Sequence, residues 1–149
     1  MKKLLGIFVL GLMLSGNAYP QSMISIKDYL EENNEFIKDP IVFSYVLKRC
    51  GAAYLYASAI TIDKDKKTAE SLSNAYEEVS LFAVNLLMKE MGWSQEEATK
   101  SLFKDIANMG KYYEKDGSDS FARTGSYMMN NYIGEDLRAC KQIVEAIIK

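Results

Sequence analysis

The stretch DPIVFSYVLKRCGAAYLYASAITI, residues 39–62, decides the fold. Asp39 and Pro40 form a helix start: a short carboxylate to cap free N–H groups, then a proline whose missing N–H costs nothing in the first turn. Phe43, Val46, Leu47, Cys50, Ala53, Tyr54, Ala57 and Ile60 follow at helical spacing and make one apolar stripe. Ile41, Val42, Ala52, Leu55, Ala59 and Ile62 make much of the opposite face apolar too. A helix apolar nearly all round is buried on several sides, so this is the expected central helix of an all-helical domain. Lys48 and Arg49 break the run and are expected to reach solvent. That charged pair also argues against a membrane span.

Outward from this helix, the pattern stays helical. Asp63 to Lys67 reads as a solvated turn. A helix from about Lys67 to Met91 places Ala69, Leu72, Tyr76, Val79, Ala83, Leu86 and Leu87 inward, and Gly92 ends it. Ser94-Gln95-Glu96-Glu97 is a capping box, serine first and glutamate three residues on. It opens a helix to about Glu114 with Ala98, Leu102, Ile106, Met109 and Tyr113 on its stripe. Asp116-Gly117-Ser118-Asp119-Ser120 has loop composition, and Phe121 to Tyr132 suits a short helix with irregular ends. A last helix over Gly134 to Lys149 carries Leu137, Cys140, Val144 and Ile147 on one side. Ser22 to Lys38, ahead of the central helix, is weakly amphipathic and suits a short or frayed helix. No alternating run reads as a strand. The expected fold is all-α: a compact bundle of four main helices plus short helical additions.

The two cysteines, Cys50 and Cys140, both fall on inward stripes, 90 positions apart. With an exported chain, that agreement predicts one disulfide. Closure of so long a loop is worth roughly 4.5 kcal/mol in the chain-entropy view. No C-x-x-C spacing supports a redox or zinc motif.

Export is read from the start of the chain. Lys2 and Lys3, the apolar run Leu4 to Leu14, and Gly16-Asn17-Ala18 have the order of a secretory signal peptide. The run is too short to cross a bilayer, which takes about 20 residues. Asn17 stands where a lipoprotein would need cysteine, so no lipid anchor is expected. Residues 1–18 are expected to be removed, leaving a single helical domain over residues 19–149 with 16 basic and 20 acidic residues, net −4. That balance argues against a nucleic-acid partner or an anionic lipid surface. The expected location is the bacterial periplasm or the extracellular space.

The chain has no histidine. Imidazole-based triads, metal sites and haem ligation are therefore excluded. Ser101-Leu102-Phe103-Lys104 matches the S-x-x-K spacing of penicillin-recognising serine enzymes, but the S-D-N and K-T-G elements are missing, and core packing with a solvent-facing lysine explains it. Asp116, Ser118 and Asp119 are oxygen donors without the twelve-residue frame of a calcium loop. No cofactor, no metal and no enzymatic activity are expected.

All ten tyrosines lie beyond residue 18. The densest cluster joins Tyr112 and Tyr113 to Tyr127, Met128, Met129 and Tyr132. Tyr and Met suit adaptable, half-wet contacts, so this cluster is the candidate binding surface, against the plain alternative that its rings fill the core. The expected function is a non-enzymatic protein-binding module of the cell envelope: an adaptor, an inhibitor or a chaperone-like binder, with another envelope protein as partner. The alternative is a carrier or sensor of a small apolar ligand in a Tyr/Met-lined cavity. In layout, a small exported helical domain with one long-range disulfide, the chain resembles bacterial periplasmic acid-stress chaperones. Chain length, helix lengths and cysteine placement differ from theirs, so no residue role carries over.

Overall fold

A computed structural model describes residues 23–147. The signal-peptide segment lies outside the described residues. The described chain is helical without a strand: α1 (Ile26–Glu32), a short 3-10 turn (Phe36–Lys38), α2 (Pro40–Thr61), α3 (Lys66–Met91), α4 (Gln95–Thr124) and α5 (Ile133–Ile147).

Local chemistry sets most boundaries. The Asp39 carboxylate accepts from the N–H groups of Ile41 and Val42, and Pro40 occupies the first turn of α2. Asp65 caps α3 through Thr68, and Gly92 ends that helix in the left-handed region at φ 68°, where a side chain would be strained. The Ser94–Glu97 capping box closes both ways, Glu97 N–H to Ser94 Oγ and Ser94 N–H to the Glu97 carboxylate.

The middle of α2 is enclosed without a break from Val46 to Tyr54, as its all-round apolar pattern requires. Its ends are open: Ile41, Leu55, Ala59 and Ile62 are exposed. α3 folds back along α2, and Val79, Ala83 and Leu87 pack into the same core as Val46, Leu47 and Ala53. α4 then runs in the direction of α2. Lys48 meets Asp105, a Cβ added at Gly51 would stand 2.8 Å from Ile106, and Tyr56 reaches Gly117. α5 closes the bundle over α2. Cys50 and Cys140 are joined there, Cα to Cα 5.3 Å, both fully enclosed.

Three expectations need correction. Lys48 and Arg49 do not reach solvent; they are 7% and 0% exposed. Residues 116–120 are not a loop but part of the last turns of α4, which continues to Thr124 and ends at Gly125, φ 74°. Phe121 to Tyr132 is not a helix: its first four residues finish α4 and the rest is turns, with Asn130 at φ 58°. The reason lies in tertiary contacts. A Cβ at position 117 would stand 1.9 Å from the Tyr56 hydroxyl, so α4 passes there only because Gly117 has none. Ser120 is buried, and its Oγ lies 2.7 Å and 2.6 Å from the carbonyl oxygens of Ser126 and Met129. Asp119 pairs with Lys115 one turn back. Poor helix formers persist where the fold gives each a contact.

Candidate functional site

The turn between Arg49 and Cys50 on α2 faces the turn between Asp136 and Cys140 on α5, and this contact organises the candidate site. Asp136 is completely enclosed, and its carboxylate accepts four hydrogen bonds. Oδ2 takes the Tyr113 hydroxyl at 2.5 Å, Arg49 Nη2 at 2.8 Å and Arg49 Nε at 3.1 Å. Oδ1 takes the backbone N–H of Ile26 at 2.6 Å. Arg49 Nη2 also donates to the carbonyl of Ile24, and its guanidinium lies 5.5 Å from the centre of the Tyr132 ring. The planar fork of arginine permits this many directed bonds, where an ammonium would offer a point charge.

Burial is the largest influence on Asp136 and holds its carboxyl above the ordinary value, while Arg49, the Tyr113 hydroxyl and the Ile26 N–H pull the other way. Tyr113 is raised well above an ordinary phenol, by burial first and then by the Asp136 charge. It is a donor here, not a base. The pair does not face a cleft. It grips the backbone of residues 24–26 from inside and so fixes the N-terminal strap, α1 with the 3-10 turn, against α5.

The strap and α5 are the two walls of a groove of about 850 Å³. Leu30, Phe36 and Ile37 line it from the strap, and Ala139, Ile143 and Ile147 from α5. Its charged residues are Lys27 and Glu31 on α1 and Glu135 and Arg138 on α5: Lys27, Glu135 and Arg138 lie in the first two turns of their helices, and Glu31, near the end of α1, has its carboxylate 3.9 Å from Lys27 Nζ. The Ile26–Asp136 bond holds those two helix starts together.

The expected binding cluster is divided by the structure. Tyr113 and Tyr132 are core, ring centroids 5.6 Å apart, and the Tyr132 hydroxyl donates to Asp116 at 2.8 Å. Burial, ahead of that bond, raises the Tyr132 hydroxyl well above its ordinary value. Tyr112 and Met128 are half-buried, Tyr127 stacks on Phe121 at 4.4 Å, and Met129 alone of the six is exposed, at 51%. The groove contains none of the six. The tyrosine-rich part of the molecule is therefore mainly the packing behind the groove. Tyr56 stacks on Tyr113 at 6.1 Å, and burial first, then Tyr127 and Glu114, pushes its hydroxyl up to about 12.

The other motifs resolve as packing. Ser101 Oγ takes a hydrogen bond from Lys48 Nζ at 3.4 Å, not from Lys104, which is exposed. Lys48 also donates to Asp105 at 2.6 Å, so the lysine beside Ser101 is held in an ion pair across the α2–α4 seam. Asp116, Ser118 and Asp119 lie on a helix, so no calcium loop exists there. Among the described residues, no group of three or more Cys, Asp or Glu is placed to hold a metal ion, and no helix is long and apolar enough to cross a membrane.

Sequence reasoning allows an ion pair of Arg49 with an acid such as Asp136 but places it at the surface, where it would contribute little, and it misses the groove. One signal was present: Asp136 stands four residues before Cys140 and so shares its inward face. Comparison with known proteins gives no matching family model, no matching curated protein and no matching solved structure.

Proposed function

We propose that this chain is a non-enzymatic binding protein of the cell envelope, a carrier or sensor that holds the apolar part of a small ligand in the groove between the N-terminal strap and α5. The observation that carries the reading is the groove itself: about 850 Å³, lined mostly by apolar side chains, with Lys27, Glu31, Glu135 and Arg138 as its charged residues. Small-molecule sites have volumes of about 300–1,000 Å³, with mostly apolar walls and a few polar groups that orient the ligand. The Arg49–Asp136 grip supports it further, because a wall built from a seven-residue helix needs a rigid anchor to keep its shape. The disulfide suits an oxidising compartment, which agrees with the signal-peptide pattern.

The test uses N-phenyl-1-naphthylamine, a neutral apolar fluorophore, with the chain from residue 19 onward. Saturable binding of one probe per chain is expected, lost in Ile37→Glu and Ala146→Arg and retained in Phe103→Glu on α4. Equal binding by all three variants would overturn the reading.

A second reading, a protein-binding module, draws on Phe121 and Met129, exposed at 42% and 51% beside the α4 stop. A photo-crosslinker at position 129 that yields no specific adduct in envelope extract would remove it.

A further inference from the structure

The distribution of charge in the groove points to a particular ligand chemistry, and this inference rests on the binding reading above. Along α5 the lining passes from Glu135 and Arg138, through Ala139, Gln142 and Ile143, to Ala146 and Ile147. The polar end comes first and the apolar end last. On the strap, Lys27 follows Ile26, whose N–H is bonded to Asp136, and so stands near Glu135 and Arg138; Glu31, one turn further on, reaches back to within 3.9 Å of Lys27 Nζ. Phe36 and Ile37 supply the apolar remainder. From Glu135 to Ile147 the helix rises roughly 18 Å at 1.5 Å per residue.

The charged end holds two cations and two carboxylates on facing walls. A purely anionic head would meet Glu31 and Glu135, and a purely cationic one would meet Lys27 and Arg138. A zwitterionic head satisfies both sets: its phosphate against Lys27 and Arg138, its ammonium against Glu31 and Glu135. Phosphate suits the planar donor fork of Arg138. The groove lining has carboxylates but a single aromatic residue, Phe36, too few for a cage, so it fits a primary ammonium, which donates hydrogen bonds. A quaternary ammonium is held by an aromatic cage instead. Lys27 and Glu31 are 3.9 Å apart and both well exposed, a loose pair that a ligand can part at little cost.

We infer that the groove takes a single-chain zwitterionic phospholipid with a phosphoethanolamine head, bound as a monomer. The head sits at Lys27, Glu31, Glu135 and Arg138, and a chain of about ten carbons, matched to the roughly 13 Å of helix from Arg138 to Ile147, lies toward Ile37 and Ile147. The apolar chain supplies most of the affinity, and the four charges, being near solvent, supply selectivity and direction.

Calorimetric titration tests this with lysophosphatidylethanolamine below its micelle concentration, against lysophosphatidylcholine and a fatty acid of equal chain length, and against diacyl phosphatidylethanolamine vesicles. One lysophosphatidylethanolamine per chain is expected, about three- to tenfold tighter than the other two single-chain amphiphiles, the gain that two exposed charge contacts allow. Arg138→Glu should remove that preference while leaving chain binding. Ile37→Glu, at an exposed position, should weaken all three equally. Equal affinity for the three amphiphiles overturns the head-group inference and leaves the groove reading standing. Binding to vesicles alone overturns it in favour of a membrane surface. No binding of any amphiphile or of the neutral fluorophore removes both.

Discussion

Lys48 and Arg49 are neighbours on one helix, both buried and both paired with an aspartate, yet they stand in unlike places. Lys48 turns toward α4 and meets Asp105, whose side chain is 38% exposed, with Ser101 beside it. Arg49 turns toward α5 and meets Asp136, from which water is fully excluded. The first is a rim contact that solvent can replace. The second is a closed network of four donors on one carboxylate, tied to the strap backbone and set against the disulfide. Two consecutive charges in an apolar helix therefore do different work: one trims the α2–α4 seam, the other assembles the wall of the groove.

The comparison breaks hardest at Asp136. Asp136→Ala leaves the Arg49 guanidinium buried and unpaired, an expected loss of about 3–5 kcal/mol of stability. Arg49→Met with Asp136→Leu should recover only part of it, because the Ile26 N–H and the Tyr113 hydroxyl are still without an acceptor, at about 1–3 kcal/mol each. Urea unfolding of the singles and the double measures the coupling; full recovery would show that the strap bonds are dispensable. Arg49→Lys should not rescue, since one ammonium cannot make the forked contact.

Removal of the disulfide next to this network, by Cys50→Ser with Cys140→Ser, is expected to cost about 2–5 kcal/mol. Hydrogen exchange should then rise in α5 and the strap before it rises in the α2–α3 hairpin. Uniform exchange across the chain would mean that the clasp is not a separate unit.

At the rim, Lys48→Met should cost about 1 kcal/mol or less, because Asp105 returns to water. A loss near that of Asp136→Ala would erase the distinction between the two pairs.

The smallest effect concerns acid. The Ser94 backbone N–H first, then its hydroxyl, hold the Glu97 carboxyl below its ordinary 4.5. A lowered folded-state value means that the cap contributes fully above that ordinary value and is lost as pH falls through the lowered one. Asp136, raised by burial, has the opposite sign: across the interval from 3.8 up to its raised value, its contribution to stability falls as pH increases. Glu97→Gln should therefore flatten the acid limb of the stability curve without moving the neutral plateau by much. An unchanged acid limb, followed by urea midpoints from pH 3 to 6, would count against the cap.

The fold was largely legible from residue order. Stripe spacing placed α2, α3 and α5, and Asp39, Ser94 and Gly92 marked ends, because caps and periodicity act within a few residues. Cys50 and Cys140 could be paired because each lay on an inward face. The end of α4 was illegible, since Gly117 and Ser120 have loop chemistry and become helical only against Tyr56 and the carbonyls of Ser126 and Met129. The tyrosine cluster misled for a related reason: Tyr113 and Tyr132 are as suited to a core as to a surface, and only their neighbours choose.

Sequence alone determined that this chain is helical, where most helices begin, and which cysteines meet, since those follow from local hydrogen bonding and from one apolar face per helix. Tertiary structure alone decided the depth of Arg49 and the position of the groove. A charge can be buried only where a partner 87 residues away supplies a carboxylate, and a groove exists only where two distant walls are held apart and in register. Neither condition is written in the neighbourhood of any single residue.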